Sequence, residues 1–433
     1  MIGTSHHDIL GIGFGPSNLA LAIALEEAGR RRREPLHAAF LERQGAFAWH
    51  GDMLLPGTDM QIAFVKDLVT LRDPTSRFSF LNYLHEKGRL TAFLNLKTFN
   101  PSRVEFNDYL SWAAGKLGGQ VRYGETVERV EPVLREGRIA ALQVSSRQGD
   151  GRRRLRLARH LVLATGGRPR IPAPFERIAD QRVLHSSRYL SGIAAAVEGV
   201  NNPRIAVVGA GQSAAEIAVD AGERFARASV DLIIRGHALR PSDDSAFANE
   251  IFDPQAVDML YGLEERQRAD MLGQLRHTNY AVVDTDLIAR LHAILYDERV
   301  RGIERHRLVR DTQAIGILFH HGHVALQLHD RLKGSTADVP YDAVVLATGY
   351  DRGGLPDIIE PLRPHILGET LDRSYRLPLR SADATVHLQG WSEATHGLSD
   401  TLLSLIAVRA GEIVASIEAC EARMMPQARA VCA

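Results

Sequence analysis

The stretch Asp8-Ile9-Leu10-Gly11-Ile12-Gly13-Phe14-Gly15-Pro16-Ser17-Asn18-Leu19 decides the fold. An apolar run, His7–Ile12, leads into clustered glycines and then into Leu19–Leu25, which has helical character. That order is strand, turn, helix. Aligned on Gly13 and Gly15, the turn reads G-x-G-x-x-N, with Asn18 where a third glycine is usual. Glycines permit a tight turn and let backbone N–H groups reach a pyrophosphate at the helix N-terminus. Asn18 in the third position predicts slightly wider packing of helix on strand. His37–Leu41 reads as the next strand and ends in Glu42. An acid there accepts hydrogen bonds from ribose hydroxyls, which favours a nucleotide without a 2′-phosphate, FAD or NAD. A ligand-free glycine turn is the weaker reading, because strand, helix and acid occur together.

The unit recurs downstream. Arg204–Val208 reads as a strand, Gly209-Ala210-Gly211-Gln212-Ser213-Ala214 as a G-x-G-x-x-A turn, and about 213–226 as a helix. The next strand, Val230–Ile234, ends at Arg235 rather than at an acid. A guanidinium suits a 2′-phosphate and an acid repels one, so NADPH is preferred over NADH. Arg240 is a second candidate for that phosphate, and a plain surface arginine is the alternative for Arg235. Two complete units with opposite charge at the discriminating position imply a bound electron carrier and an electron donor. The usual combination is FAD reduced by NADPH.

The remaining pattern fits this frame. Leu161–Ala164 reads as a strand ending in Ala164-Thr165-Gly166-Gly167, with a proline-rich link, Pro169 to Pro174, after it. Residues 240–300 carry several helical patterns. Ile315–Phe319 and Val324–Leu328 read as paired strands joined at His320–His323, and Ala343–Leu346 as a last buried strand ending in Ala347-Thr348-Gly349-Tyr350. Alternating strands and helices predict an α/β chain with two doubly wound, Rossmann-like dinucleotide-binding domains and a small, mostly helical substrate-binding portion. The expected division is 1–170 for the FAD-binding domain, 171–334 for the NADPH-binding domain, with 240–300 forming the substrate portion, and 335–433 completing the FAD-binding domain.

Composition narrows the function classes. Across 433 residues the formal net charge is zero, which gives no electrostatic footprint for nucleic acid or for a membrane surface. The arginine runs Arg30–Arg33 and Arg152–Arg154 sit in polar stretches and read as solvated loops. The two cysteines, Cys420 and Cys432, leave no disulfide framework and no cysteine-based metal site upstream, consistent with a reducing cytoplasm. They also leave no redox Cys-x-x-Cys, against a flavin disulfide reductase. No apolar stretch reaches the ~18 residues of a membrane span. The tract His320-His321-Gly322-His323 lacks neighbouring acids or cysteines and reads as a solvated turn, so no metal is expected. A homo-oligomer is compatible with the sequence.

Several blocks resemble the flavin-dependent N-hydroxylating monooxygenases of siderophore biosynthesis over nearly the whole chain. They are Gly13-Phe14-Gly15-Pro16-Ser17-Asn18-Leu19, Met60–Leu68, Asp243–Glu250, Thr278-Asn279-Tyr280, Ala347-Thr348-Gly349-Tyr350 and His396–Ser404. The Met60–Leu68 and Asp243–Glu250 blocks are closer to the ornithine-hydroxylating branch. The family pattern after Tyr350 places a His or Pro where this chain has Pro356 one position late. The resemblance implies hydroxylation of the side-chain amine of L-ornithine, or alternatively L-lysine, by O2 through a flavin C4a-hydroperoxide. It implies that Lys66 pairs with the substrate α-carboxylate and that Asn249 bonds the amino-acid head group. Asn279, with Tyr280 beside it, holds substrate or nicotinamide ribose, and Ser404 sits near the amine. Asn279 and Ser404 are the residues nearest the chemistry. Trp49, His50, Gln61, Thr348 and the Gly397–Leu402 stretch are expected along the flavin, and Gly209, Gly211, Gln212, Ser213 and Arg235 along NADPH.

Read without the family, these residues have plainer roles. Lys66 is a cation that an amino-acid carboxylate needs, or a surface lysine lying along apolar atoms. Asn249, Asn279 and the Asp243-Asp244-Ser245 cluster suit helix caps. The amine must be neutral to attack, and its ordinary pKa is about 10.4. Burial among Asn and Ser rather than carboxylates is expected to favour that form. A non-catalytic FAD-binding nucleotide sensor is the reading outside enzyme chemistry.

Overall fold

The computed structural model describes residues 4–30, 35–320 and 323–429. Arg31–Arg33, the turn residues His321 and Gly322, and Cys432 lie outside them.

The chain begins in one sheet. Strands β1 (Thr4–Ile12), β2 (Ala38–Leu41) and β3 (Val121–Arg122) are joined by the antiparallel meander β4 (Glu125–Arg135), β5 (Arg138–Gln148) and β6 (Arg153–Leu163), in the order β3-β2-β1-β6-β5-β4. β1 pairs in parallel with β2 and with the full length of β6. Successive side chains of a strand point to opposite faces, and both faces here are covered. Ile9 and Val162 join a core with helices α1 (Pro16–Gly29), α2 (Arg103–Lys116) and α5 (Ile406–Arg429). Leu10, Ile12, Leu161 and Leu163 join the opposite core.

A second sheet comes next. β7 (Arg168–Pro169) leads out, and β8 (Val183–His185), β9 (Arg204–Val208), β10 (Ser229–Ile233) and β11 (His306–Val309) enter an all-parallel sheet. Helix α3 (Gln212–Arg224) and helix α4 (Thr285–Arg301) pack on one face through Ile217, Ala221 and Leu291. The other face carries the antiparallel sheet β12 (Thr312–His320), β13 (His323–Asp330) and β14 (Thr336–Tyr341). β15 (Ala343–Leu346) lies between β9 and β8, and β16 (Tyr350–Asp351) returns alongside β7. β17 (Thr385–Leu388) then joins β6 in the first sheet.

The expected strand pair around 315–328 forms with Phe319 opposite Val324. The arginine run Arg152–Arg154, expected as a loop, instead leads into β6 at Arg153. Past residue 335, β14 and β15 still pair with strands of the second unit, and β17 joins the first sheet. Asn18 is also corrected. It does not wedge helix from strand; it is fully buried and stitches them. Its Nδ2 donates to the carbonyls of Gly13 (2.7 Å), Ile12 (3.3 Å) and Val162 (3.4 Å), while Gln389 donates to its Oδ1 (3.0 Å). Among the described residues no His, Cys, Asp and Glu cluster could hold a metal, and no helix is long and apolar enough to cross a membrane.

Candidate active site

The two glycine turns face each other across a cleft of about 2550 Å³. A single small-molecule pocket spans roughly 300–1,000 Å³, so the cleft has room for two dinucleotides and an amino acid. The turns are built alike. Gly13 has φ +82°, and a Cβ there would lie 2.5 Å from the Ala164 carbonyl oxygen. Gly209 has φ +155°, and its Cβ would lie 2.3 Å from the Ala347 carbonyl oxygen. Each turn therefore presses on the loop after a neighbouring strand, β6 in one case and β15 in the other. Gly15 and Gly211 precede α1 and α3, and neither helix has a side-chain cap. Their first-turn N–H groups point to the cleft as an anion site.

At the first turn Gly13, Gly15, Pro16 and Ser17 line the cleft, with Asn18 behind them. Glu42 is held by the Phe14 N–H (2.7 Å) and the Gln44 N–H (2.9 Å), which fixes its carboxylate at the end of β2. At the second turn Gly209, Gly211, Gln212 and Ser213 line the cleft, as does the exposed Arg235. Arg235 makes no side-chain ion pair among the described residues. Arg240, the second candidate, is exposed, is not part of the cleft lining and contacts His277 at 3.2 Å.

Lys66, Asn249, Asn279 and Ser404 line the same cleft. Lys66 belongs to a pinned segment. Met60 N–H donates to Pro101 O, Phe64 N–H to Phe99 O and Lys66 N–H to Ala63 O, each at 2.8 Å. Asp67 does not pair with Lys66. It is buried and accepts from the N–H groups of Val69 (2.9 Å), Thr70 (2.7 Å) and Phe80 (2.7 Å) and from the Thr70 hydroxyl (2.9 Å). Asp67→Ala strands those donors, and unmet buried donors cost about 1–3 kcal/mol each. Thermal unfolding should show a loss of about 3 kcal/mol or more, with Lys66 displaced. Lys66 makes no ion pair among the described residues.

The capping readings do not hold. Asn249 ends the helix Ala246–Asn249 and donates to the Asp244 carbonyl (2.8 Å) without capping the short turn Glu250–Phe252 with its side chain. Asn279 comes after the short helix Leu275–Thr278 rather than starting one. Asp243 does receive the Ser245 N–H (3.1 Å). Ser404 is buried at the cleft wall.

Trp49, His50 and Gln61 line the cleft, as do Leu402 and Ser404. His50 takes a left-handed backbone, φ +47°, and its ring meets Trp49 and Tyr350 edge-on. It is open to the cleft yet deep in the protein. That burial, with Arg103 and Arg352 nearby, lowers its pKa to about 4 and keeps it neutral. Gln61 donates to Asp284 Oδ1 (2.8 Å), while Gln212 donates to Asp284 Oδ2 (2.9 Å) and accepts from its N–H (2.9 Å). One carboxylate thus ties the flavin-side loop to the second turn. Of two further expected flavin neighbours, one lines the cleft and the other does not. Gly397, φ +92°, forms a turn against Leu260 and does not line the cleft. Thr348 lines the cleft from the end of β15, in the second unit, and donates to the Arg170 carbonyl.

The cleft also contains carboxylates, contrary to the expectation of Asn and Ser alone. Each has a partner. Asp400 accepts from Ser392 N–H (2.7 Å) and Arg409 (3.1 Å). Glu393 accepts from the Tyr280 hydroxyl, whose pKa burial and that acid push up to about 12. Glu216 is gripped by both ends of Arg103 (2.6 and 2.7 Å), and burial raises its pKa despite that cation. Arg103, Glu216, Asp284 and Arg352 escape a reading of the sequence. The partners of the first three are remote along the chain, and no local spacing marks any of the four.

Comparison with known proteins agrees with this geometry. The family described as L-lysine 6-monooxygenase/L-ornithine 5-monooxygenase matches residues 5–352. An L-ornithine N(5)-monooxygenase of Pseudomonas aeruginosa is 45% identical over 414 residues, covering 95% of this chain and 93% of that protein. The structure of an ornithine hydroxylase from Pseudomonas aeruginosa superposes with a TM-score of 0.92 at 45% identity, covering 96% of this chain and 99% of that one. An ornithine N-hydroxylase of Kutzneria sp. 744, solved with reduced FAD, NADP+ and L-ornithine, superposes with a TM-score of 0.91 at 38% identity, covering 96% of this chain and 100% of that one.

Proposed function

The chain belongs to the L-lysine 6-monooxygenase/L-ornithine 5-monooxygenase family, and from that premise we propose that it hydroxylates the side-chain amine of L-ornithine, using FAD, NADPH and O2. The observation that carries this reading is that Lys66, Asn249, Asn279 and Ser404 line the one cleft on which both glycine turns open. The product is N-hydroxyornithine, a building block for hydroxamate siderophores made in the cytoplasm. The FAD unit comprises the first sheet with its return at β17, and the NADPH unit the sheets from β8 to β15, with 240–300 closing over the substrate.

FAD reduced by NADPH supplies the activated oxygen, which is cofactor chemistry. The protein binds, orients and keeps water out. The N–H groups at the start of α1 take the FAD pyrophosphate and Glu42 the adenosine ribose. The start of α3 takes the NADPH pyrophosphate and Arg235 its 2′-phosphate. Lys66 neutralises the amino-acid carboxylate and Asn249 bonds its head group. Asn279 orients substrate and nicotinamide, and Ser404 accepts or donates at the side-chain amine. Glu393 and Asp400 are engaged by Tyr280 and Arg409, which leaves these two carboxylates less available to hold the amine protonated.

Arg235→Ala is expected to lower kcat/KM for NADPH about 10- to 100-fold, the loss of one charge-assisted contact of about 1.5–3 kcal/mol, and to leave NADH unchanged. Steady-state oxidation of both nucleotides checks it; an unaltered NADPH/NADH ratio removes the phosphate assignment. The substrate is tested by hydroxylamine formation from ornithine and from lysine. The two differ by one methylene, worth about 1–3 kcal/mol, so a preference for ornithine of roughly 10- to 200-fold is expected. A preference for lysine overturns the choice of amine.

A further inference from the structure

Arg352 stands in the cleft outside both glycine turns and outside the family blocks. It comes directly after β16 and is laid across the C-terminal edge of the first sheet. A Cβ on Gly167, after β6, would lie 3.1 Å from both its Cγ and its Nε, and a Cβ on Gly390, after β17, would lie 3.0 Å from its Nη1. A side chain at either position would push against this arginine. Tyr280, Glu393 and Asp400 are the opposing charges and dipoles nearest it. None takes it as a partner, since Glu393 receives Tyr280 and Asp400 receives Arg409. Arg352 makes no hydrogen bond or ion pair among the described residues. Burial lowers its pKa, so its charge carries a desolvation cost that an anionic neighbour would offset.

We propose that Arg352 contacts FAD at its flavin end and stabilises the negative charge that the flavin gains on reduction. The inference rests on the FAD reading above. The pyrophosphate end belongs to α1, where Gly13 and Ser17 line the cleft. Arg352 lies farther along the same sheet edge, against the loops after β6 and β17 and near Tyr280 and Glu393, and it lines the cleft together with Asn279, Leu402 and Ser404. That is where the flavin must meet nicotinamide and amine. When NADPH gives up a hydride, two electrons and a proton pass to the flavin. The flavin then carries one more negative charge, and the nicotinamide becomes positive. A guanidinium held at the flavin favours the reduced form over the oxidised one, and a compact ammonium at the same place retains part of that effect.

The test is the two-electron reduction potential of bound FAD, measured by dye equilibration on the FAD-loaded wild type, Arg352→Lys and Arg352→Gln, without NADPH or amine. Arg352→Gln should disfavour reduction at least tenfold, a fall of about 30 mV for two electrons. Arg352→Lys should keep most of the wild-type potential. The affinity for oxidised FAD should fall less than that for reduced FAD. An unchanged potential in both variants overturns the proposal. So does an equal loss of affinity for both oxidation states, which would move Arg352 to the pyrophosphate. A wild-type chain that takes up no FAD overturns the flavoprotein reading itself.

Discussion

Lys66→Ala is expected to raise KM for L-ornithine about 100-fold, while FAD content and ornithine-independent NADPH oxidation stay near wild type. The size reflects the loss of a charge-assisted contact in a partly desolvated site, about 2–3 kcal/mol. The selectivity comes from the backbone. Lys66 projects from a segment anchored by Met60, Phe64 and Asp67, and its own contribution to that anchoring is the backbone N–H to Ala63. Removing the side chain therefore takes away a cation without loosening the loop. Lys66→Arg should recover part of the loss, because charge is kept and length is not. An unchanged KM in Lys66→Ala would place the carboxylate elsewhere.

Gly13→Ala and Gly209→Ala are expected to separate the two cofactors. Both glycines adopt positive φ, and both would drive a Cβ into a carbonyl oxygen of the adjacent loop, at 2.5 and 2.3 Å. Contacts that close force backbone to move, and the moving backbone is what presents N–H groups to pyrophosphate. Gly13→Ala should be isolated largely without FAD. Gly209→Ala should keep its flavin, with flavin reduction by NADPH slowed on the order of 100-fold or more, while reduction by dithionite should be normal. Flavin absorbance after desalting and rapid-mixing reduction check the pair. Loss of FAD from Gly209→Ala with normal reduction of what remains would reverse the assignment of the turns.

Much of this is legible in the sequence because it is local. β1, its turn and α1 fall within residues 4–29, and β9, its turn and α3 within 204–224. The apolar runs, the glycines and the terminal Glu42 and Arg235 all act over a few residues. The illegible part depends on pairing across long separations. β15 reads as a buried strand, yet only its pairing with β9 and β8 shows that it belongs to the second unit. β14 is polar and mostly exposed, so no apolar run marks it as a strand. Asn18 reads as a poor glycine, and its value emerges only with Val162 and Gln389 beside it. The site divides in the same way. Lys66, Asn249, Asn279 and Ser404 lie in family blocks, whereas Asp284 and Arg103 with Glu216 gain meaning from partners supplied by other elements, and Arg352 from the glycine loops it lies against.

The most direct test of the central claim, that two dinucleotides and an amino-acid amine meet in this cleft, is a turnover under 18O2. The FAD-loaded protein is given NADPH and L-ornithine, and product mass is followed with NADPH consumption. The account predicts N-hydroxyornithine carrying one 18O atom for each NADPH oxidised. NADPH oxidation that yields peroxide and no labelled hydroxylamine, from ornithine or lysine, would contradict it.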